Sequence, residues 1–253
     1  MSKKPPTLRE FQKRFPTEES CLDNLMRIRY GERFTCFKCL KEARYYRVTT
    51  RRCFVCEHCG YQVYPTAGTP FEKTRTSVRD WFFVMFLFCA SRNGVAAKEV
   101  QRQIGVTYKT AWRMCKEIRE YMGEVDGDKP LGGDKIVEVD ETWIGGRIKR
   151  GEPDNKQIVF GMIERGGEVI TRLVTDRSTV SLFPHVAKWV REGSRVMTDE
   201  WQGLRRVLAD FYHHEFVNHR AEEYVRGEVH TNTIEAFWSH FKRSVAGTHI
   251  SVS

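Results

Sequence analysis

The stretch KIVEVDETWIGG, residues 135–146, decides how the second half of the chain is read. It is a short β-branched run bounded by glycine, which is the pattern of a strand, and Asp140 closes its core IVEVD. Downstream come three more runs of the same kind: QIVFGMIERGG (157–167), EVITRLVTD (168–176) and RVMTD (195–199). Helical patterns lie between and after them, in TVSLFPHVAKWVREGS (179–194), EWQGLRRVLADFY (200–212) and HTNTIEAFWSHFKR (230–243). The order is read as three strands, helix, strand, helix, a further strand, and helix. Short turns, Gly-rich at 166–167, predict an antiparallel meander of the first three strands. The later strands alternate with helices and are expected to add in parallel. Such a mixed sheet is one of the layouts compatible with a ribonuclease H-like α/β core, although a fold alone fixes no function.

Working back from that stretch, EVDGDKPLGGDK (124–135) is rich in Gly, Asp and Pro and reads as a linker. Residues 71–123 are helical in pattern, and residues 1–70 hold a cysteine cluster among short β-type runs. The expected architecture is α+β and multidomain: an N-terminal segment and ribbon (1–70), a helical region (71–123), the linker, and an α/β domain (136–253). The most apolar stretch, WFFVMFLFCA (81–90), is too short to span a bilayer and is expected to be a buried helix. The opening MSKKPPTLRE is charged with no apolar segment behind it, so the sequence predicts an intracellular protein without a membrane partner. The net charge of +9 suits a nucleic-acid partner, because each neutralised phosphate releases counterions.

Five of the eight cysteines lie between positions 36 and 59. Cys36-Phe-Lys-Cys39 and Cys56-Glu-His-Cys59 are two CxxC pairs with sixteen residues between them. Four thiolates from two such knuckles close a tetrahedron around structural Zn²⁺. Gly60 follows the second pair, where the knuckle needs a tight turn. Cys53 offers a competing CxxC with Cys56, and Cys56 with Cys59 is preferred. His58 is read as a bystander. Cys89 and Cys115 lie in apolar helices and are expected to be core thiols.

NGVAAKEVQRQIGVTYKTAWRMCKEIREYMG (93–123) reads as a short helix, a turn at Gly105 and a longer helix. Val100, Ile104, Val106, Ala111 and Trp112 supply the apolar positions of a helix-turn-helix. Thr107, Tyr108, Lys109 and Thr110 open the second helix and, with Arg113, are the residues expected to meet DNA. An αα-hairpin with a solvated basic face fits the same pattern.

Asp140 and Asp199 each stand where a strand leaves the sheet, and two aspartates brought together there repel unless a divalent cation lies between them. Mg²⁺ suits such oxygen ligands. Glu235 is the third candidate. Asn232-Thr-Ile-Glu235 also has capping-box spacing, so a cap and a metal ligand are both open. On a helix, Ile234, Phe237, Trp238, Phe241 and Val245 form an apolar face, with Asn232, Glu235, Ser239 and Lys242 in a polar stripe beside it.

Taken together, the two CxxC pairs, the helix-turn-helix, VEVDETWIGG, VMTDE and VHTNTIEAFWSHFKR resemble bacterial insertion-sequence DDE transposases with an N-terminal zinc ribbon, a group related to the Merlin elements. YQVYPTAGTPFEKTRTSVRDWFFVMFLF (61–88) resembles the family's bridge between ribbon and helices. The resemblance implies a ribonuclease H-like catalytic domain holding two Mg²⁺, for which Mn²⁺ can substitute, on Asp140, Asp199 and Glu235. Asn232 is an alternative or auxiliary third residue, Lys242 positions DNA, and His219 and His230 lie near the site. Thirty-five residues separate Asp199 from Glu235 and six separate Glu235 from Lys242, as in DDE recombinases. The implied activity is cleavage at the element's ends and their joining to target DNA, carried out by a homodimer or larger synaptic complex at the bacterial nucleoid. Family members continue past a Gly-Thr segment like the one in AGTHISVS, which implies a last helix short of partners. The competing expectation is a catalytically inactive, zinc-dependent DNA-binding regulator derived from a transposase.

Overall fold

Two helices open the chain, and the sequence reading did not anticipate them. α1 (Leu8–Arg14) and α2 (Glu18–Tyr30) each begin after a threonine whose hydroxyl accepts the amide three residues on, from Glu10 and from Ser20. The Glu10 and Ser20 side chains return the bond to the threonine N–H, so both starts are reciprocal capping boxes. The computed structural model describes residues 6–91, 93–126, 129–145, 156–199, 202–218 and 221–249. The chain divides into two compact units, residues 1–126 and 127–253, each with its own core.

In the first unit, β1 (Phe34–Thr35) pairs with β2 (Glu42–Ala43), and β3 (Tyr45–Arg47), β4 (Phe54–Cys56) and β5 (Gln62–Val63) form a three-stranded sheet, all antiparallel. Helices α3 (Val78–Ala90), α4 (Ala97–Ile104) and α5 (Tyr108–Asp126) follow. One core joins Phe11 and Leu22 of the opening helices, Phe54 and Val63 of the sheet, and Trp81 and Met114 of the later helices. Each large side chain buried this way contributes about 1.5–3 kcal/mol. Cys115 lies in this core, but Cys89 is exposed, contrary to expectation, because the end of α3 packs through Leu87 and Phe88 and leaves Cys89 on its open side. α5 continues through Asp126, so the first residues of the expected linker 124–135 are helical.

The second unit runs β6 (Val137–Ile144), β7 (Gln157–Glu164), β8 (Val169–Val174), α6 (Thr179–Trp189), β9 (Arg195–Thr198), α7 (Gln202–Phe211), β10 (His213–Phe216) and α8 (Asn232–His249). The sheet order is β10-β9-β6-β7-β8. β6, β7 and β8 form the antiparallel meander, and β9 and β10 add in parallel beside β6, as the alternation of strands and helices predicts. The two faces bury different partners. Val137, Val139, Phe160 and Met162 meet Leu182 and Val186 of α6 and Leu208 of α7. Val159, Ile144 and Ile163 meet Ile234 and Trp238 of α8 on the other face. Because strand side chains alternate, Glu138 and Asp140 share the α8 face. The β6–β9 register pairs Glu138 with Met197, and two residues further along it brings Asp140 level with Asp199. No helix among the described residues is long and apolar enough to cross a membrane.

Candidate functional site

The four knuckle cysteines converge. Their sulfurs all lie within 4.8 Å of one another, with Cys36–Cys59 at 3.6 Å and Cys39–Cys56 at 3.9 Å. A tetrahedron with Zn–S bonds of about 2.3 Å has edges of about 3.8 Å, so the donor set fits zinc. The two knuckles repeat each other bond for bond. The Cys36 and Cys56 carbonyls accept the amides of Leu40 and Gly60. Their sulfurs accept the amides of Lys38 and His58, each at 3.4 Å. Both turns require a left-handed residue. Gly60 supplies it at φ 68° without strain, whereas exposed Leu40 is forced to φ 58°. The buried Tyr45 hydroxyl faces the Cys36 sulfur, and an ionised sulfur there would accept a hydrogen bond from it. Cys53 lies outside the cluster, its thiol turned to Gln62, and His58 faces the Glu42 carbonyl.

The carboxylate site is built on β6 and α8. Asp140 accepts the Trp238 indole N–H at 3.0 Å. Burial, then the charge of Asp199 and more weakly that of Glu235, pushes the Asp140 carboxyl up to about 6. Neighbouring Glu141 points to the other face of the sheet. Burial and Asp140 raise it to about 7, and Arg177 pairs with it. Thr198 donates to the Asp199 carbonyl at 2.9 Å and meets His214 Nε2 at 2.9 Å. Burial and the Arg205 charge hold His214 down at about 4, so its imidazole is neutral. Glu235 is exposed on the first turn of α8, and its carboxylate accepts from the Thr231 hydroxyl at 2.7 Å. Asn232 and Lys242 are exposed on the same helix.

The capping-box reading of Asn232–Glu235 is corrected. α8 starts at Asn232, and the amides that a cap would satisfy are taken by a carboxylate from elsewhere. Glu138, fully buried on β6, accepts the Thr233 amide at 2.8 Å, the Ile234 amide at 2.9 Å and the Thr233 hydroxyl at 2.8 Å. Arg165 Nε donates to Glu138 at 2.6 Å, and its other nitrogens reach the Glu228 carbonyl and both the carbonyl and Nδ1 of His230. His230 thus sits beside the start of α8, while His219 and residues 250–253 of AGTHISVS lie outside the described residues. Gly161, cross-strand from Asp140, is required by close approach: a Cβ there would lie 2.6 Å from the Trp238 ring.

In the first unit, Gly105 ends α4 in the left-handed conformation at φ 71°. Thr107 caps the Thr110 amide, and the two hydroxyls lie 3.0 Å apart, so both serve the start of α5. Arg113 lies over the Trp81 ring. Trp112, assigned to the apolar face from sequence, is instead 50% exposed, and Tyr108 is 45% exposed. With Lys116 they form an outward aromatic and basic stripe at i, i+4 and i+8, off the buried face of Ala111 and Cys115, and exposed Lys109 lies beside it.

Two family models match this chain: the ISXO2-like transposase domain over residues 130–253 and the transposase zinc-ribbon domain over residues 16–62. Just under half of the chain, residues 130–253, is thus similar to an ISXO2-like transposase domain, and it lies behind a stretch similar to a transposase zinc ribbon. A curated relative, described as an uncharacterized protein in the transposable element ISH50 of Halobacterium salinarum, is 28% identical over 258 residues. The match covers 91% of this chain and 84% of the relative. The transposase domain contains the β6–α8 carboxylate site, and the zinc-ribbon domain contains all four converging cysteines. Sequence reasoning missed Glu138, Arg165 and Gly161 as parts of the β6–α8 carboxylate site. Only Gly161, a lone glycine within a strand pattern, carried a visible signal.

Proposed function

We propose that this chain is a DDE-type DNA transposase that cleaves the ends of an insertion sequence and joins them to target DNA. The observation that carries this reading is the placing of Asp140, which sits midway along β6 opposite Gly161 rather than at a strand end as expected from sequence, level with Asp199 just past β9. Burial, then Asp199 and more weakly Glu235, raise its carboxyl to about 6. Like charges gathered on one face of the sheet are stable once a cation lies among them. These three residues would hold Mg²⁺. Bound there, Mg²⁺ supplies activation of a water or DNA 3′-hydroxyl and stabilisation of the leaving oxygen. Trp238 orients the Asp140 carboxylate through its indole N–H. Lys242, two turns beyond Glu235, offers a cation for the phosphate backbone, and Asn232 offers an amide oxygen one turn before it.

The strand order β10-β9-β6-β7-β8 supports a ribonuclease H-like reading of residues 136–253. The α4–Gly105–α5 geometry supports a helix-turn-helix within residues 71–123, behind a zinc ribbon in residues 1–70 and ahead of the linker 124–135. On this reading the first unit binds the terminal inverted repeats. Two ends must be held together, so the working form is a homodimer or larger complex.

The test incubates the purified protein with labelled inverted-repeat ends and Mg²⁺. Nicking that falls at least about a thousandfold in Asp140→Ala supports the enzyme. Repeat binding without nicking, identical in Asp140→Ala, supports instead a DNA-binding regulator.

A further inference from the structure

We infer that Glu138 is a positioning residue: a buried latch that sets the register of α8 along β6 and thereby brings Glu235 and Trp238 to Asp140. The inference rests on the carboxylate-site reading above. Glu138 and Asp140 are two residues apart on one strand and face the same helix. α8 is attached to β6 at both points, with Thr233 and Ile234 on Glu138 and Trp238 on Asp140. Ile234 and Trp238 are one helical turn apart, so the two attachments fix both the height and the rotation of the helix. Glu235 lies between them in sequence and is carried by both.

A carboxylate with no exposed surface is costly unless compensated. Here it is compensated on every side: by Arg165, by the Thr233 hydroxyl, and by two amides at a helix N-terminus, where the backbone dipole favours an anion. Arg165 also grips the Glu228 and His230 carbonyls, which holds the chain entering α8. A hydrophobic residue at 138 would pack as well against a helix flank. It would leave two amides and a guanidinium unpaired, and it would not specify which turn of α8 meets Asp140. The arrangement therefore specifies register rather than adding stability alone.

The test follows the Trp238 indole N–H by NMR, assigned with Trp238→Phe. In the unsubstituted protein the buried, hydrogen-bonded indole is expected to exchange slowly with solvent. In Glu138→Gln it should speed up at least tenfold while amides of β7 and β8 keep their rates. A loss of register does this, whereas general destabilisation speeds both. If Glu138→Gln leaves the indole rate unchanged, or speeds it only in proportion to the sheet amides, the latch is overturned. Should that variant fail to fold, Arg165→Lys, which keeps one cation beside Glu138 but drops the carbonyl grips, is expected to show the same selective change at smaller size; equal rates there overturn the latch as well. Mn²⁺ titration separates the underlying reading. Broadening of the Trp238 indole signal in the unsubstituted protein, needing at least tenfold more Mn²⁺ in Glu138→Gln, supports both ideas. No broadening in either overturns the carboxylate metal site, and the metal-independent exchange rates then judge the latch alone.

Discussion

The two candidate metal centres are built in opposite ways. The cysteine centre is local: two four-residue knuckles, one between β1 and β2 and one between β4 and β5, each close their own hydrogen bonds within the 24 residues 36–59. The carboxylate centre is assembled from distant chain. Asp140 meets Trp238 across 98 positions, and Glu138 meets Ile234 across 96. A local site can be read from spacing because its geometry travels with the motif. A dispersed site depends on supporting residues whose spacing means nothing until the sheet is formed.

Zinc removal strains this comparison hardest. Structural zinc contributes on the order of 10 kcal/mol in small domains. Chelation, or Cys36→Ser, should therefore unfold the ribbon and abolish repeat binding while the second unit keeps its own melting transition. Calorimetry showing two transitions, only one of them sensitive to chelator, is the expected result; loss of both at once would contradict independent cores. Gly161→Ala comes next. The added methyl group meets the Trp238 ring, so a loss of about 1–3 kcal/mol is expected by denaturant melts, with zinc content unchanged.

Asp140→Asn separates the two centres by sign. The folded Asp140 pKa is raised from 3.8 to about 6, so the folded state holds the proton more tightly than the unfolded chain. Stability without divalent ions is therefore undiminished below about pH 4 and falls as pH rises through 6. The asparagine removes that penalty. It should stabilise the second unit by on the order of 1–2 kcal/mol at pH 7.5 and by nothing at pH 4, even as cleavage is lost. Equal melting of both forms at pH 7.5 would show that the charge carries no cost. The smallest effect belongs to the ribbon: Leu40→Gly relieves a left-handed leucine and should raise its stability by about 0.5–1 kcal/mol, read as a higher chelator concentration for half-unfolding.

Legibility followed the same divide. The β6–β8 meander and the parallel addition after it were readable because those runs are short, β-branched and punctuated by turns, and the CxxC spacing pointed to the four converging cysteines. α1 and α2 were missed although Thr7-Leu-Arg-Glu10 carries a capping-box spacing, because their buried faces are thin: α1 buries only Phe11, and α2 only Cys21, Leu22, Asn24 and Met26. Glu138 was missed for a physical reason. In VEVD the alternation places carboxylates on what looks like a solvent face, and only the docking of α8 turns that face inward. Trp112 was misassigned because an aromatic residue at helical spacing usually belongs to the core, whereas here α4 and α3 pack on the neighbouring face.

The distance between β6 and α8 also sets a schedule. At about 5–20 residues per second, the ribosome emits the helix roughly 5–20 seconds after the strand it must dock on. Throughout that interval the nascent chain already carries its cysteine knuckles and the α4–α5 pair, but Glu138 has no helix end to hold and Asp140 has no indole partner. On the proposed function, a newly made chain can therefore take hold of nearby DNA before it can cut it, which would favour the copy of the element from which it was expressed.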